Sequence, residues 1–92
     1  MSASVKWRPR KSLFAWVRAE QYARVNGCTV SVRDGGATLR AAVERKAPAD
    51  GRWVLLAEKR VDAPSGGGSP KGTEKQLAVL RAWCERTAQA LG

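Results

Sequence analysis

The chain contains no histidine. That absence removes the side chain most often used as a general base and the commonest zinc ligand together. Cysteine is scarce: Cys28 and Cys84 lie far apart and fit neither a CxxC pair nor a zinc-ligand spacing. One disulfide would fit the count, but the dense framework of a small secreted domain is missing. Long apolar runs are absent too. The longest near the N-terminus, Leu13 to Val17, is too short for a membrane span or the apolar part of a signal peptide. These absences point to a cytoplasmic protein with reduced thiols and no membrane partner.

Acid is in short supply, with 8 Asp and Glu against 17 Lys and Arg, a net charge of +9. An excess of this size favours polyanionic partners, nucleic acid first among them. The excess is local: residues 1–19 hold five cations and no acid. Ninety-two residues, 43% of them hydrophobic, suffice for one compact domain and not for two.

Residues 1–8 lack periodicity and read as a basic arm, leaving 9–92 as a single domain. Pro9 suits a helix start, Arg10 to Val25 holds good helix formers, and Asn26-Gly27 reads as a left-handed stop. Cys28–Arg33 and Ala37–Lys46 alternate as strands around Asp34-Gly35-Gly36, a strong hairpin turn. Trp53–Val61 reads as a third strand after a turn at 47–51. Residues 62–72, rich in Gly, Ser and Pro, read as a flexible loop. Thr73 and Gln76 form a capping-box signature opening a second helix, with Leu77, Leu80, Cys84, Ala88 and Leu91 on one stripe and Trp83 at its margin. The expected fold is therefore α+β in the order α-β-β-β-α, a three-stranded antiparallel sheet with both helices on one face.

No acid pair and no nucleophile–base pair is placed together by these elements. No catalytic residue, metal, cofactor or small-molecule substrate is expected, and the chain reads as a non-enzymatic binding module. Gly67 and Gly72 have the spacing of a phosphate-binding loop, but Thr73 stands where its lysine belongs. The start of the second helix still offers N–H groups beside Lys71, Thr73 and Lys75. The alternative there is a plain Thr73 cap with solvated lysines.

Lys6, Arg8, Arg10 and Lys11 surround Trp7, and Arg18 and Arg24 continue the basic character along the expected first helix. Interleaved cations and an indole suit phosphate tracking with base stacking. The competing reading folds Trp7 back onto the core. Arg33, Arg40, Lys71 and Lys75 are expected as secondary phosphate contacts. A second surface is also expected: Trp16 and Tyr22 on the first helix, and Val54 and Leu56 on the third strand beside Arg33 and Arg40. Such apolar groups suit a protein partner, a second copy, or the chain's own arm. Two functions follow, nucleic-acid binding first and a protein-interaction module second.

The order α-β-β-β-α, with Lys71 before and Lys75 within the second helix, resembles the double-stranded-RNA-binding fold. That resemblance implies phosphate contacts from a lysine-bearing helix start across a groove. The chain departs from the pattern in its short Asp34-Gly35-Gly36 connection, where such domains carry a His-containing loop, and in having only two lysines at that helix.

Overall fold

A computed structural model describes residues 5–11, 19–62 and 70–91. Five strands are followed by one helix: β1 (Arg8–Pro9), β2 (Ala19–Val25), β3 (Cys28–Asp34), β4 (Thr38–Lys46), β5 (Trp53–Asp62) and α1 (Pro70–Leu91). The strands pair antiparallel in the sequential order β1-β2-β3-β4-β5. The α+β class holds, but the α-β-β-β-α order with two helices on one face does not. The likeness to the double-stranded-RNA-binding order falls with it.

The correction turns on Ala19–Val25. Its Ala, Glu, Gln and Arg favour a helix, yet every residue of β2 pairs with β3, from Ala19 opposite Asp34 to Val25 opposite Cys28. Helix propensity amounts to only a few tenths of a kcal/mol per residue, about 0–0.7, and tertiary pairing overrides it. The pairing is set by Asn26-Gly27, where both residues have positive φ, 53° and 79°. Two left-handed residues between adjacent strands make a type I′ hairpin turn, whose twist matches that of the strands. The same dipeptide that resembles a helix stop is here a hairpin. Pro9 likewise lies in β1 rather than in a helix. Of the expected first helix, residues 12–18, including Trp16 and Arg18, lie outside the described residues.

Along β2, β3 and β4, alternation sends Ala23, Val25, Cys28, Val30, Val32, Leu39, Ala41 and Val43 to one face, all buried. α1 lies across this face, chiefly over β3 and β4, and buries Leu77, Leu80, Cys84 and Ala88 against it. These four belong to the stripe read from the sequence; Leu91, its fifth member, is exposed. The helix starts at Pro70, so Thr73 lies inside its first turn rather than capping it. Of the expected 62–72 loop, Asp62 ends β5, Pro70 to Gly72 are helical, and 63–69 lie outside the described residues.

Polar contacts pin α1 in place. Asn26 donates to the Ala88 and Gln89 carbonyls at 3.5 and 3.4 Å, serving the otherwise unpaired C-terminal end of the helix. Arg45 reaches the Leu91 carbonyl at 3.4 Å, and Arg81 donates to Gln21 at 2.8 Å. Both cysteines are buried and unbridged. The Cys84 thiol faces the Ser31 and Ala42 carbonyls, and burial pushes its pKa up to about 11. A thiol so placed is a packing group, since the reactive form is the thiolate.

Candidate nucleic-acid interface

The opposite face of the sheet is built from the alternate residues of the same strands. Register lines them up: Glu20 lies opposite Arg33, Arg33 opposite Arg40, and Arg40 opposite Arg60. Three arginines thus occupy adjacent positions on β3, β4 and β5. Like charges directly opposite on neighbouring strands are destabilising unless compensated.

Two carboxylates supply the compensation. Glu20, buried to 6% exposure, accepts from Arg10 and from Arg33, the latter at 2.7 Å. Burial pushes its carboxyl upward, but the hydrogen bonds and charges of Arg10 and Arg33 outweigh that and hold its pKa below the usual value. Glu58 takes Arg40 at 2.6 Å and Arg60 at 3.0 Å. The Arg40 hydrogen bond is the main reason that the Glu58 pKa is also lowered. Each acid serves two guanidiniums, so the row stays net positive.

Three open concavities mark this face. One, of about 400 Å³, is lined by Arg33, Gly35, Thr38, Arg40 and Arg60. A second, of about 330 Å³, is lined by Lys6, Arg8, Tyr22, Ala23 and Arg24. The third, of about 420 Å³, is lined by Arg24, Asn26, Gly27, Thr29, Lys46 and Trp53. Among the described residues none has an acid in its wall. The Arg10 guanidinium sits 5.2 Å from the centre of the Tyr22 ring, a cation–π contact. Trp53 is 52% exposed at the rim of the third concavity.

The structure therefore gathers Lys6, Arg8, Arg10, Arg33 and Arg40 on one face. Lys11 is exposed beyond the end of β1. Trp7 goes the other way: it packs against the core beneath α1, and its Nε1–H donates to Glu85 at 3.2 Å. The alternation that sends Lys6 and Arg8 outward turns Trp7 inward, so the indole does not sit among those cations. Lys75 is exposed on α1, across the sheet from the arginine row, and the Lys71 side chain lies outside the described ones. Tyr22 stands on a strand rather than a helix, opposite Arg8. Val54 and Leu56 are exposed: Val54 lies opposite Arg45 near the start of β5, and Leu56 is the unpaired residue of a bulge two positions before Glu58.

Sequence reasoning missed Lys46, Trp53 and Arg60 as contributors to this face. Arg24, read as basic character continuing along a helix, stands instead on β2. Arg60 was hidden by a bulge: strict alternation from Lys46 opposite Trp53 would set Lys59 against Arg40, and the register shift between Val43 and Glu44 brings Arg60 there instead. Among the described residues no group of three His, Cys, Asp or Glu could hold a metal ion, and no helix is long and apolar enough to cross a membrane. Compared with protein-family models, curated proteins and solved structures, the chain matches none.

Proposed function

We propose that the sheet face away from α1 binds nucleic acid without catalysing a reaction. The observation that carries this reading is the set of three open concavities lined by Arg and Lys, with no acid among the described residues of their walls. Phosphates fit such cradles because each neutralised phosphate releases condensed counterions. The exposed Trp53 ring beside Lys46 and Arg24 adds a stacking surface, which favours a strand with unpaired bases over a closed duplex.

The test is a salt titration of binding to mixed single-stranded and duplex oligonucleotides, followed by fluorescence anisotropy. Single strands should bind more tightly, and affinity should fall steeply with salt. Replacing Arg8, Arg24 and Lys46 together by Ala should flatten the slope of log K against log salt by about 2, at ~0.7 per lost phosphate contact. None of the three has an acidic partner among the described residues, so the fold should be untouched. Negligible binding to every polymer at low salt would sink the proposal.

A further inference from the structure

The concavity of Arg33, Arg40 and Arg60 differs from the other two in how its cations are held. Lys6, Arg8, Arg24 and Lys46, which line the others, have no acidic partner among the described residues. Such side chains can follow a phosphodiester chain wherever it lies. Arg33, Arg40 and Arg60 are instead each tied to a carboxylate. Glu20 takes the Arg33 Nε at 2.7 Å. One oxygen of Glu58 takes Nε and Nη2 of Arg40 at 2.7 and 2.6 Å, and its other oxygen takes Nε of Arg60 at 3.0 Å. Acids weaken a surface that serves only to attract polyanions. What they supply is orientation, and the planar fork of a fixed guanidinium matches phosphate oxygens.

The ties use the Nε side of Arg40 and Arg60. Among the described residues, Nη1 of Arg40 and both Nη groups of Arg60 have no other partner. The three arginines come from adjacent strands, about 4.8 Å apart, and share one hollow of about 400 Å³ with the exposed Thr38 hydroxyl. That hollow lies at a corner of the sheet, between the β3–β4 turn at Gly35 and Arg60, two residues from the end of β5. The flanking acids are not in its wall. Asp34 accepts the Gly36 N–H at 2.9 Å within the turn, and Asp62, opposite Thr38, ends β5. With those acids close by, the hollow selects by the placement of its donors more than by excess charge.

We propose that this corner takes a phosphomonoester, the terminal phosphate of a nucleic-acid strand whose body lies over the other two concavities. The inference rests on the nucleic-acid reading and adds a strand end to it. A phosphodiester inside a chain presents two free oxygens and one charge. A phosphomonoester presents three oxygens and a charge of about −1.5 to −2 at neutral pH. Three oriented guanidiniums and a hydroxyl match the monoester and exceed what a diester can use. The distance agrees: Lys46, opposite Trp53, lies six residues along β4 from Arg40, roughly 20 Å at strand rise. A strand stacked on Trp53 reaches the corner within a few nucleotides.

The experiment is fluorescence anisotropy of the full chain with internally labelled single strands of one sequence, ending in a 5′-phosphate, a 3′-phosphate or hydroxyls only. One phosphorylated strand should bind about tenfold more tightly than the hydroxyl-ended one, the worth of an added charge-assisted hydrogen bond. Arg60→Gln should bring this ratio to about one, and Arg60→Lys, which keeps the charge without the fork, should lower it severalfold. Circular dichroism should be unchanged in both, since the Arg60 side chain is 65% exposed. Replacing Arg8, Arg24 and Lys46 together by Ala should weaken every strand and preserve the ratio. Equal affinity for the three strands overturns the proposal and leaves nucleic-acid binding standing, whereas failure of every strand to bind at low salt overturns both. A ratio that survives Arg60→Gln puts the terminal phosphate elsewhere and overturns it as well. So does a nucleoside monophosphate that binds as tightly as the phosphorylated strand, because the hollow then belongs to free nucleotides.

Discussion

The two faces of this sheet are made from alternate residues of the same strands and obey opposite rules. Toward α1, Val30, Val32, Leu39, Ala41 and Val43 are almost completely buried among Leu80, Cys84 and Ala88. Away from α1, Arg33, Arg40 and Arg60 stand side by side, held by two carboxylates. The first face gains stability from every contact. The second tolerates like charge at adjacent positions, an arrangement that stability alone would not favour. The difference teaches where to look for function: on the face that is costly to maintain.

The comparison can be broken most forcefully on the helix face. Leu80 is 1% exposed at the centre of the core, and Leu80→Ala removes its packing and leaves a cavity. Such truncations cost about 2–5 kcal/mol. Urea denaturation should show a loss in that range. Oligonucleotide affinity, measured where the variant is still folded, should be unchanged. A loss of affinity in the folded variant would mean that the two faces are not separable.

A smaller effect with opposite signs on the two properties is expected at Glu20. Glu20→Gln keeps the size but removes the charge that Arg10 and Arg33 share. Both arginines retain solvent access, so the cost should be about 1–2 kcal/mol rather than the larger penalty of a fully buried broken pair. Its folded pKa is lowered, so the Glu20 contribution is complete above the unfolded value of about 4.3 and is lost as pH falls through the folded one. Wild-type and variant stabilities, apart at neutral pH, should converge in acid. Oligonucleotide affinity should rise severalfold at low salt, because the face loses an acid. Parallel stability curves down to the lowest pH would show that Glu20 contributes by packing and not by charge.

Those two faces were unequally legible in the sequence. The apolar stripe of α1 and the strands Cys28–Asp34, Thr38–Lys46 and Trp53–Asp62 could be read from periodicity, because burial imposes period on composition. β2 could not, since Glu20, Gln21 and Arg24 favour a helix in isolation and only the Asn26-Gly27 turn makes them a strand. The arginine row is legible only after register, because Arg33, Arg40 and Arg60 are far apart in sequence and neighbours solely through hydrogen-bonded pairing. Charge clustering along the chain pointed to the arm, and Lys6, Arg8 and Arg10 do reach the face. It could not reveal that the arm contributes as one edge of a larger surface.

The mildest prediction separates two indoles. Trp7 lies in the densest run of cations in the sequence, yet its ring is on the helix face, bound to Glu85. Trp53 has few cationic neighbours in sequence, yet stands exposed beside Arg24 and Lys46. Trp7→Phe keeps most of the packing and loses one hydrogen bond, a change of about 0.5–1.5 kcal/mol in stability. Single-strand affinity should not move. Trp53→Ala should leave stability nearly unchanged and lower single-strand affinity by about 1–3 kcal/mol, the worth of one stacked base. Quenching of tryptophan fluorescence on binding should persist in Trp7→Phe and diminish in Trp53→Ala. The reverse pattern would assign the stacking to the arm and detach it from the arginine-lined sheet, because an indole beneath α1 cannot reach a strand bound on the other side.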